Sequence, residues 1–172
     1  MRRITPRPAR LRGPMIVCVD KSGSMSGTPE NLAHSLMLKL LSIADKQKRE
    51  LYLISFSVEA IPIDVRKERT KLLEFFKMQA AGDTNATKML QQVFEVLSSN
   101  VRYMSADVLW ISDFRIPLTK RDLRERLLKY RREGTRFYGL QIGMNPTNEW
   151  SDYFDEIINL KLQTFMRPYR TN

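Results

Sequence analysis

The chain has 172 residues, 42% of them hydrophobic, which suits one globular domain with a real core. Its single cysteine excludes an internal disulfide and a thiolate metal site. No apolar run reaches the roughly 18 residues of a membrane span, and only five apolar residues follow the opening MRRITPRPARLRG, too few for a signal-peptide core, so the sequence reads as soluble and cytoplasmic.

The formal charge of +10 is unevenly placed. Residues 1–13 carry five arginines and no acid, residues 161–172 carry Lys161, Arg167 and Arg170 with no acid, and residues 119–136 hold eight Lys or Arg against three acids. The expected organisation is a basic Arg/Pro-rich arm over 1–13, a domain over 14–160 and a basic C-terminal segment over 161–172.

Short β-branched or aromatic runs alternate with longer stretches of helical period, which predicts βαβ units on a parallel sheet. Met15–Val19 reads as the first strand, with Cys18 as a small core residue. Thr28 is a candidate N-cap with Pro29 in the first turn, and Leu32, Leu36, Leu40 and Ile43 then share one helix face to about Asp45. Leu51–Phe56 is a second strand. Ala60–Val65 contains Pro62, which cannot donate to a central ladder, and is expected at the sheet edge. A short helix is expected over Glu68–Lys77. The polar stretch Ala80–Asn85 comes next, and Asp83 or Thr84 is expected to open a helix bearing Ala86, Leu90, Val93 and Leu97. Val108–Ile111 is a strand from which Trp110 is expected to face the core, a position at the rim being the alternative. The basic helix places Leu123, Leu127 and Tyr130 on one face, and Arg136–Ile142 and Ile157–Leu160 are the last strands. The fold class is α/β: a Rossmann-like, doubly wound, mostly parallel sheet with one antiparallel edge strand and helices on both faces.

In open sheets of this class ligands bind beyond the carboxyl ends of the parallel strands. Asp20 stands at that end of the first strand, followed by Ser22, Ser24 and Ser26; Ser112-Asp113 follows Val108–Ile111, and Gly82-Asp83-Thr84 opens the third long helix. Three loops therefore bring hard oxygen donors to one rim, with no histidine or thiol among them, which suits Mg2+ over zinc or copper. The bland alternative is that Ser22, Ser24 and Thr84 only cap turns and helices.

Enzyme chemistry fits the sequence less well. The only histidine, His34, lies on a helix beyond the serine-bearing loop, and Met25 stands where a G-x-S-x-G elbow needs serine. Phosphoryl transfer through Asp20 lacks the usual D-x-D partner, Ser22 taking its place, and there is no P-loop. The chain is expected not to be an enzyme. Its basic ends and basic helix leave a competing role, sequence-independent attraction to nucleic acid or an anionic membrane, while Phe165 and Tyr169 are expected to pack the terminal segment on the body.

Asp20-Lys21-Ser22-Gly23-Ser24, Thr84 and Asp113 match the pattern D-x-S-x-S…T…D, and in this the chain resembles von Willebrand factor A domains with a metal-ion-dependent adhesion site. More closely, RGPMIVCVDKSGSM, GDTN and VLWISDF resemble the C-terminal module of ViaA-type bacterial proteins, partners of MoxR-family AAA+ ATPases, over roughly residues 11–160. In that family the module ends a much longer chain. Two positions depart from the pattern: Lys21 fills a spacer often held by a small or neutral residue, and Asn85 stands where an Asp is common. Neither is a ligand position. The resemblance implies that Ser22 and Ser24 touch the metal directly, with Thr84, Asp20 and Asp113 bound directly or through water. The implied ion is Mg2+, with Mn2+ and Ca2+ as alternatives. Such an ion attracts an Asp or Glu of a protein partner, expected to be a MoxR-type ATPase, while Arg124 and Arg131 of the basic helix are expected to speed encounter.

Overall fold

The apolar run Met15–Asp20 forms β1 and is buried at every position, because helices cover both faces of the sheet and leave a central parallel strand no contact with water. Met15, Val17 and Val19 point to one face. There they pack with Met37 and Ala44 of α1 (Thr28–Lys46) and Phe75 of α2 (Arg69–Lys77). Ile16 and Cys18 point to the other, into a cluster with Met89 and Val93 of α3 (Ala86–Ser99) and Leu127 of α4 (Arg121–Arg132).

The remaining strands are β2 (Leu51–Phe56), β3 (Ala60–Asp64), β4 (Asp107–Ser112), β5 (Phe137–Ile142) and β6 (Glu156–Leu160), and the sheet order is β3-β2-β1-β4-β5-β6. All neighbours run parallel except β3, which pairs antiparallel with β2 and sets Pro62 opposite Ile54 at the edge. The expected fold class is thus the observed one. From β1 the chain moves outward to β2 and β3, then returns across the sheet to β4. The strand order therefore reverses between β1 and β4, where a ligand crevice forms in open sheets.

This computed structural model describes residues 13–161. Arm residues 1–12 and the aromatic pair Phe165 and Tyr169 lie outside the described residues. Among the described residues no helix is long and apolar enough to cross a membrane.

Two helix starts differ from the sequence expectation. Gly27, not Thr28, occupies the N-cap of α1, and Thr28 and Pro29 are already helical; proline is accepted there because a first-turn N–H has no intrahelical partner to lose. Asn85 caps α3, its Oδ1 accepting the Lys88 N–H at 3.2 Å, so neither Asp83 nor Thr84 is used for capping. The other differences are small: β1 extends to Asp20, β3 stops at Asp64, α2 starts at Arg69, and β4 gains Asp107 and Ser112.

Trp110 is fully buried, as expected, with its ring 4.9 Å from that of Phe154, 5.0 Å from Trp150 and 6.0 Å from Phe114. Gly139 on β5 makes room for this aromatic layer. A Cβ there would lie 2.8 Å from Phe114 Cζ and 3.1 Å from Ile157 Cγ1, below normal contact. Gly139→Ala should therefore lower stability by about 1–3 kcal/mol through overpacking. Urea denaturation checks this, and parental stability in the variant would show that the Phe114 ring yields freely.

Candidate metal centre

Asp20, the last residue of β1, is 1% exposed. Its Oδ1 accepts the Ser22 N–H at 2.8 Å, and its Oδ2 accepts the Ser112 hydroxyl from the end of β4 at 2.6 Å. Ser112 Oγ accepts the Phe114 N–H at 2.9 Å in turn. One carboxylate thus ties the loop after β1 to the loop after β4. Burial raises the pKa of Asp20, the bonds from Ser112 and Ser22 oppose that rise, and the charge of Asp113 adds to it. The rim therefore holds negative charge that its own donors do not fully offset, the electrostatic condition for receiving a cation.

Ser24 lies in a single turn of 3-10 helix, Gly23–Met25, with Ser22 extended just before it, and the turn is pinned because Met25 is fully buried in the core. Ser22 is buried and Ser24 is exposed, with their hydroxyl oxygens 3.2 Å apart. The Gly23 N–H donates to Gly82 O at 2.8 Å, which binds this turn to the segment leading to Thr84. Gly82 has φ +78, the left-handed conformation that glycine adopts without strain. Just past Thr84, the Asn85 N–H donates to Ser57 O at 2.6 Å. Thr84 is half-buried, and among the described residues its hydroxyl has no protein hydrogen bond.

Asp113 is 8% exposed, and its Oδ1 accepts the Arg115 N–H at 3.0 Å. The next residue, Phe114, has φ +57, a left-handed conformation that costs a non-glycine residue about 1–3 kcal/mol. Its carbonyl is held by Asn145 Nδ2 at 2.9 Å and its ring by the aromatic layer, so the turn is fixed by packing from below.

The five motif residues stand at the carboxyl end of the parallel strands, Asp20 as the last residue of β1 and Ser22, Ser24, Thr84 and Asp113 on the loops beyond it. Direct bonds join Asp20 to Ser22, Ser22 to Ser24, and Asp20 to the neighbour of Asp113, while Thr84 is brought in through Gly82. Among the described residues no three His, Cys, Asp or Glu side chains cluster as metal ligands. The donor set is hydroxyls and two carboxylates, which fits a hard, oxygen-seeking cation that keeps several waters. Ser112, which the motif passes over, is part of this rim; its hydroxyl at the carboxyl end of β4 was the available signal.

Two other expectations meet different environments. His34 Nε2 pairs with Lys21 Nζ, and its ring packs on Phe75 and Phe76, so no serine–histidine pair forms among the described residues. On α4, Arg124 donates to Thr119 O at 2.9 Å and to Tyr153 Oη at 2.6 Å, while Arg131 donates to Asp155 and to Asp152 O. Both arginines, expected to steer a partner, instead fasten α4 to the segment before β6. Reversing their charge would disturb packing as well as encounter.

No protein-family model matches the sequence. Similar solved structures include proximal thread matrix protein 1 from the mussel byssus, with TM-score 0.59 and 15% identity over 88% of this chain and 44% of that one. The SpRpn10 VWA domain is similar with TM-score 0.55 and 11% identity, over 87% of this chain and 88% of that one. The fold is that of a von Willebrand factor A domain. An aerotolerance-related membrane protein of Bacteroides fragilis NCTC 9343 shares it at TM-score 0.54 and 13% identity, over 75% of this chain and 67% of that one. Another structure of the mussel protein has zinc in its MIDAS motif, with TM-score 0.58 and 16% identity over 89% of this chain and 46% of that one. The chain spans less than half the length of the mussel protein.

Proposed function

We propose that this von Willebrand factor A domain is a metal-dependent protein-interaction module and not an enzyme. The observation that carries this reading is the rim itself. A buried aspartate at the switch point holds two loops by its own oxygens, and the Ser22 and Ser24 hydroxyls stand 3.2 Å apart beside it. Ser22, Ser24 and Thr84 would hold a divalent cation, Mg2+ in the first instance, with Asp20 and Asp113 supplying charge and orienting hydroxyls and waters. A cation on mostly neutral ligands offers an open position that an Asp or Glu of another protein fills. The zinc-occupied motif of the mussel protein supports a metal at this place in the fold. The resemblance to ViaA-type modules supports a MoxR-type AAA+ ATPase as the partner and a bacterial cytoplasm as the setting. The competing reading, a binder of nucleic acid or anionic membrane through the basic ends and the basic helix, loses Arg124 and Arg131, which are engaged within the domain, and keeps Lys120, Arg121, Arg126, Lys129 and Arg132, which are exposed.

The test is surface plasmon resonance between the domain and a MoxR-type ATPase, in Mg2+ and in EDTA, at an ionic strength of about 0.5 M, where exposed charges more than a few ångströms apart are screened. EDTA and Thr84→Ala should each weaken the complex about tenfold or more, the loss expected when a charge-assisted contact of about 1.5–3 kcal/mol is removed. Full affinity in EDTA at that salt would refute the reading.

A further inference from the structure

Lys21 occupies the spacer between Asp20 and Ser22 and is 2% exposed. Lysine is almost never buried without partners, because a desolvated ammonium is expensive. Here the side chain is fully engaged. Nζ donates to Met78 O at 2.7 Å, pairs with His34 Nε2, lies 3.6 Å from Glu30 Oε1, and sits 4.6 Å from the centre of the Phe75 ring. Glu30 and His34 belong to α1, Phe75 to α2, and Met78 follows α2 directly. Burial and the neighbouring Lys21 charge hold the His34 pKa below its ordinary value, against the pull of Glu30, which keeps a ring nitrogen free to accept from the ammonium.

The rest of the network points at the same segment. The Lys21 carbonyl accepts the Ala81 N–H at 2.9 Å, and Glu30 Oε2 accepts the Ala80 N–H at 2.6 Å. Ser26 Oγ donates to Ala80 O at 3.2 Å, and the Gly23 N–H to Gly82 O at 2.8 Å. Four residues of the run from Met78 to Gly82 are thus held by polar bonds from the serine-bearing loop and the first turns of α1. Apolar packing is confined to Ala80, which is buried in the core, since Lys77, Met78, Gln79, Ala81, Gly82 and Asp83 are all exposed. A segment with few buried apolar contacts opens at low cost unless such bonds hold it. This one leads straight into Thr84.

We propose that Lys21 is a positioning residue of the metal centre: with Glu30 and His34 it clamps the run from Met78 to Gly82 to the serine-bearing loop and so fixes where the Thr84 hydroxyl stands. This rests on the metal-binding reading above. Outer partners that orient metal ligands are typically worth about 10–100-fold in affinity, and Lys21 acts through the backbone of the segment on which one ligand rides.

The test compares the domain with Lys21→Met, Lys21→Gln and Glu30→Ala by amide hydrogen exchange and by Mg2+ calorimetry. In Lys21→Met, exchange over residues 78–85 should rise about tenfold or more while β1 and β4 keep their protection, and Mg2+ affinity should fall about tenfold. Lys21→Gln retains an N–H for Met78 O and should recover part of both. Parental affinity with a protected segment in Lys21→Met overturns the proposal, as does lost affinity with the segment still protected. Should Lys21→Met fail to fold, Glu30→Ala carries the same two readouts. If the parent domain itself binds no Mg2+, the metal reading fails, and exchange alone decides whether Lys21 holds the segment.

Discussion

Asp20→Asn is expected to weaken divalent-cation binding about 100-fold while leaving the metal-free domain at least as stable as the parent. Asparagine keeps the size of the side chain and an acceptor for the Ser22 N–H, and its amide can donate to Ser112 Oγ, so the ties between the two loops persist. What disappears is half the carboxylate charge of the rim. The hydroxyls with Asp113 as the one remaining carboxylate strip water from Mg2+ poorly, so affinity by calorimetry should drop about 100-fold, the upper end for a residue that orients metal ligands. The effect on the metal-free protein has the opposite sign. Burial raises the pKa of Asp20 in the folded state. A carboxyl whose folded pKa exceeds its unfolded value binds its proton more tightly when native, so its ionised form detracts from stability above that pKa. The amide removes this penalty. Melting of both proteins in EDTA should give a variant temperature equal to or above the parental one. Retained cation affinity would move the centre elsewhere. A fall of many degrees would make Asp20 a structural hydrogen-bonding residue first.

Much of the architecture was legible because each clue depends on one dominant force. A run of five apolar residues with no alternation implies a strand covered on both faces, and β1 is that strand. Pro62 lacks an N–H, so only an edge can take it, and β3 is that edge. Asp20 and Ser112-Asp113 each follow an apolar run, and parallel strands separated by helices must end at the same rim, so residue order alone places the centre. The features that stayed hidden depend on partners far away in sequence. Lys21 looks like a solvated spacer because its acceptors, His34 and Met78, are 13 and 57 residues distant. His34 reads as a helix-surface or packing residue, and its ring does pack on Phe75 and Phe76, but its bond to Lys21 is not announced by sequence. Arg124 and Arg131 read as free charge, since nothing nearby in sequence announces Tyr153 or Asp155. Asp83 and Thr84 are the caps of α3 expected from sequence, yet Asn85 is by residue type as good a cap as Asp83 and a better one than Thr84. The Asn85 side chain caps Lys88 N–H, its own N–H donates to Ser57 O, and Thr84 is left just outside α3.

Trp150→Ala should destabilise the domain more than Gly139→Ala does, by about 3–5 kcal/mol in urea denaturation, the range for deleting a buried tryptophan. Trp150 is fully buried, its ring centre is 5.0 Å from that of Trp110 and 5.7 Å from that of Tyr153, and its indole N–H donates to Ile116 O at 2.9 Å. Its backbone N–H is held by Asn148 Oδ1 at 2.9 Å, so the ring is presented by a turn that does not follow it when the side chain is cut away. The hole would therefore stay open instead of collapsing, which places the cost at the upper end of the range. Trp150→Phe separates packing from hydrogen bonding. It keeps most of the aromatic contact and loses one buried bond, for about 1 kcal/mol. A loss below about 1 kcal/mol in Trp150→Ala would mean that the neighbouring rings refill the space and that this layer is not a rigid support. The location gives the result its functional weight. Ile116 lies three residues beyond Asp113, and Phe154 packs on both Trp110 and Phe114, so the aromatic layer under β4 and β5 props up the left-handed turn that presents Asp113. Trp150→Phe leaves that prop in place and should bind Mg2+ nearly as the parent does, whereas Trp150→Ala, even where it still folds, should bind more weakly because the turn loses its floor.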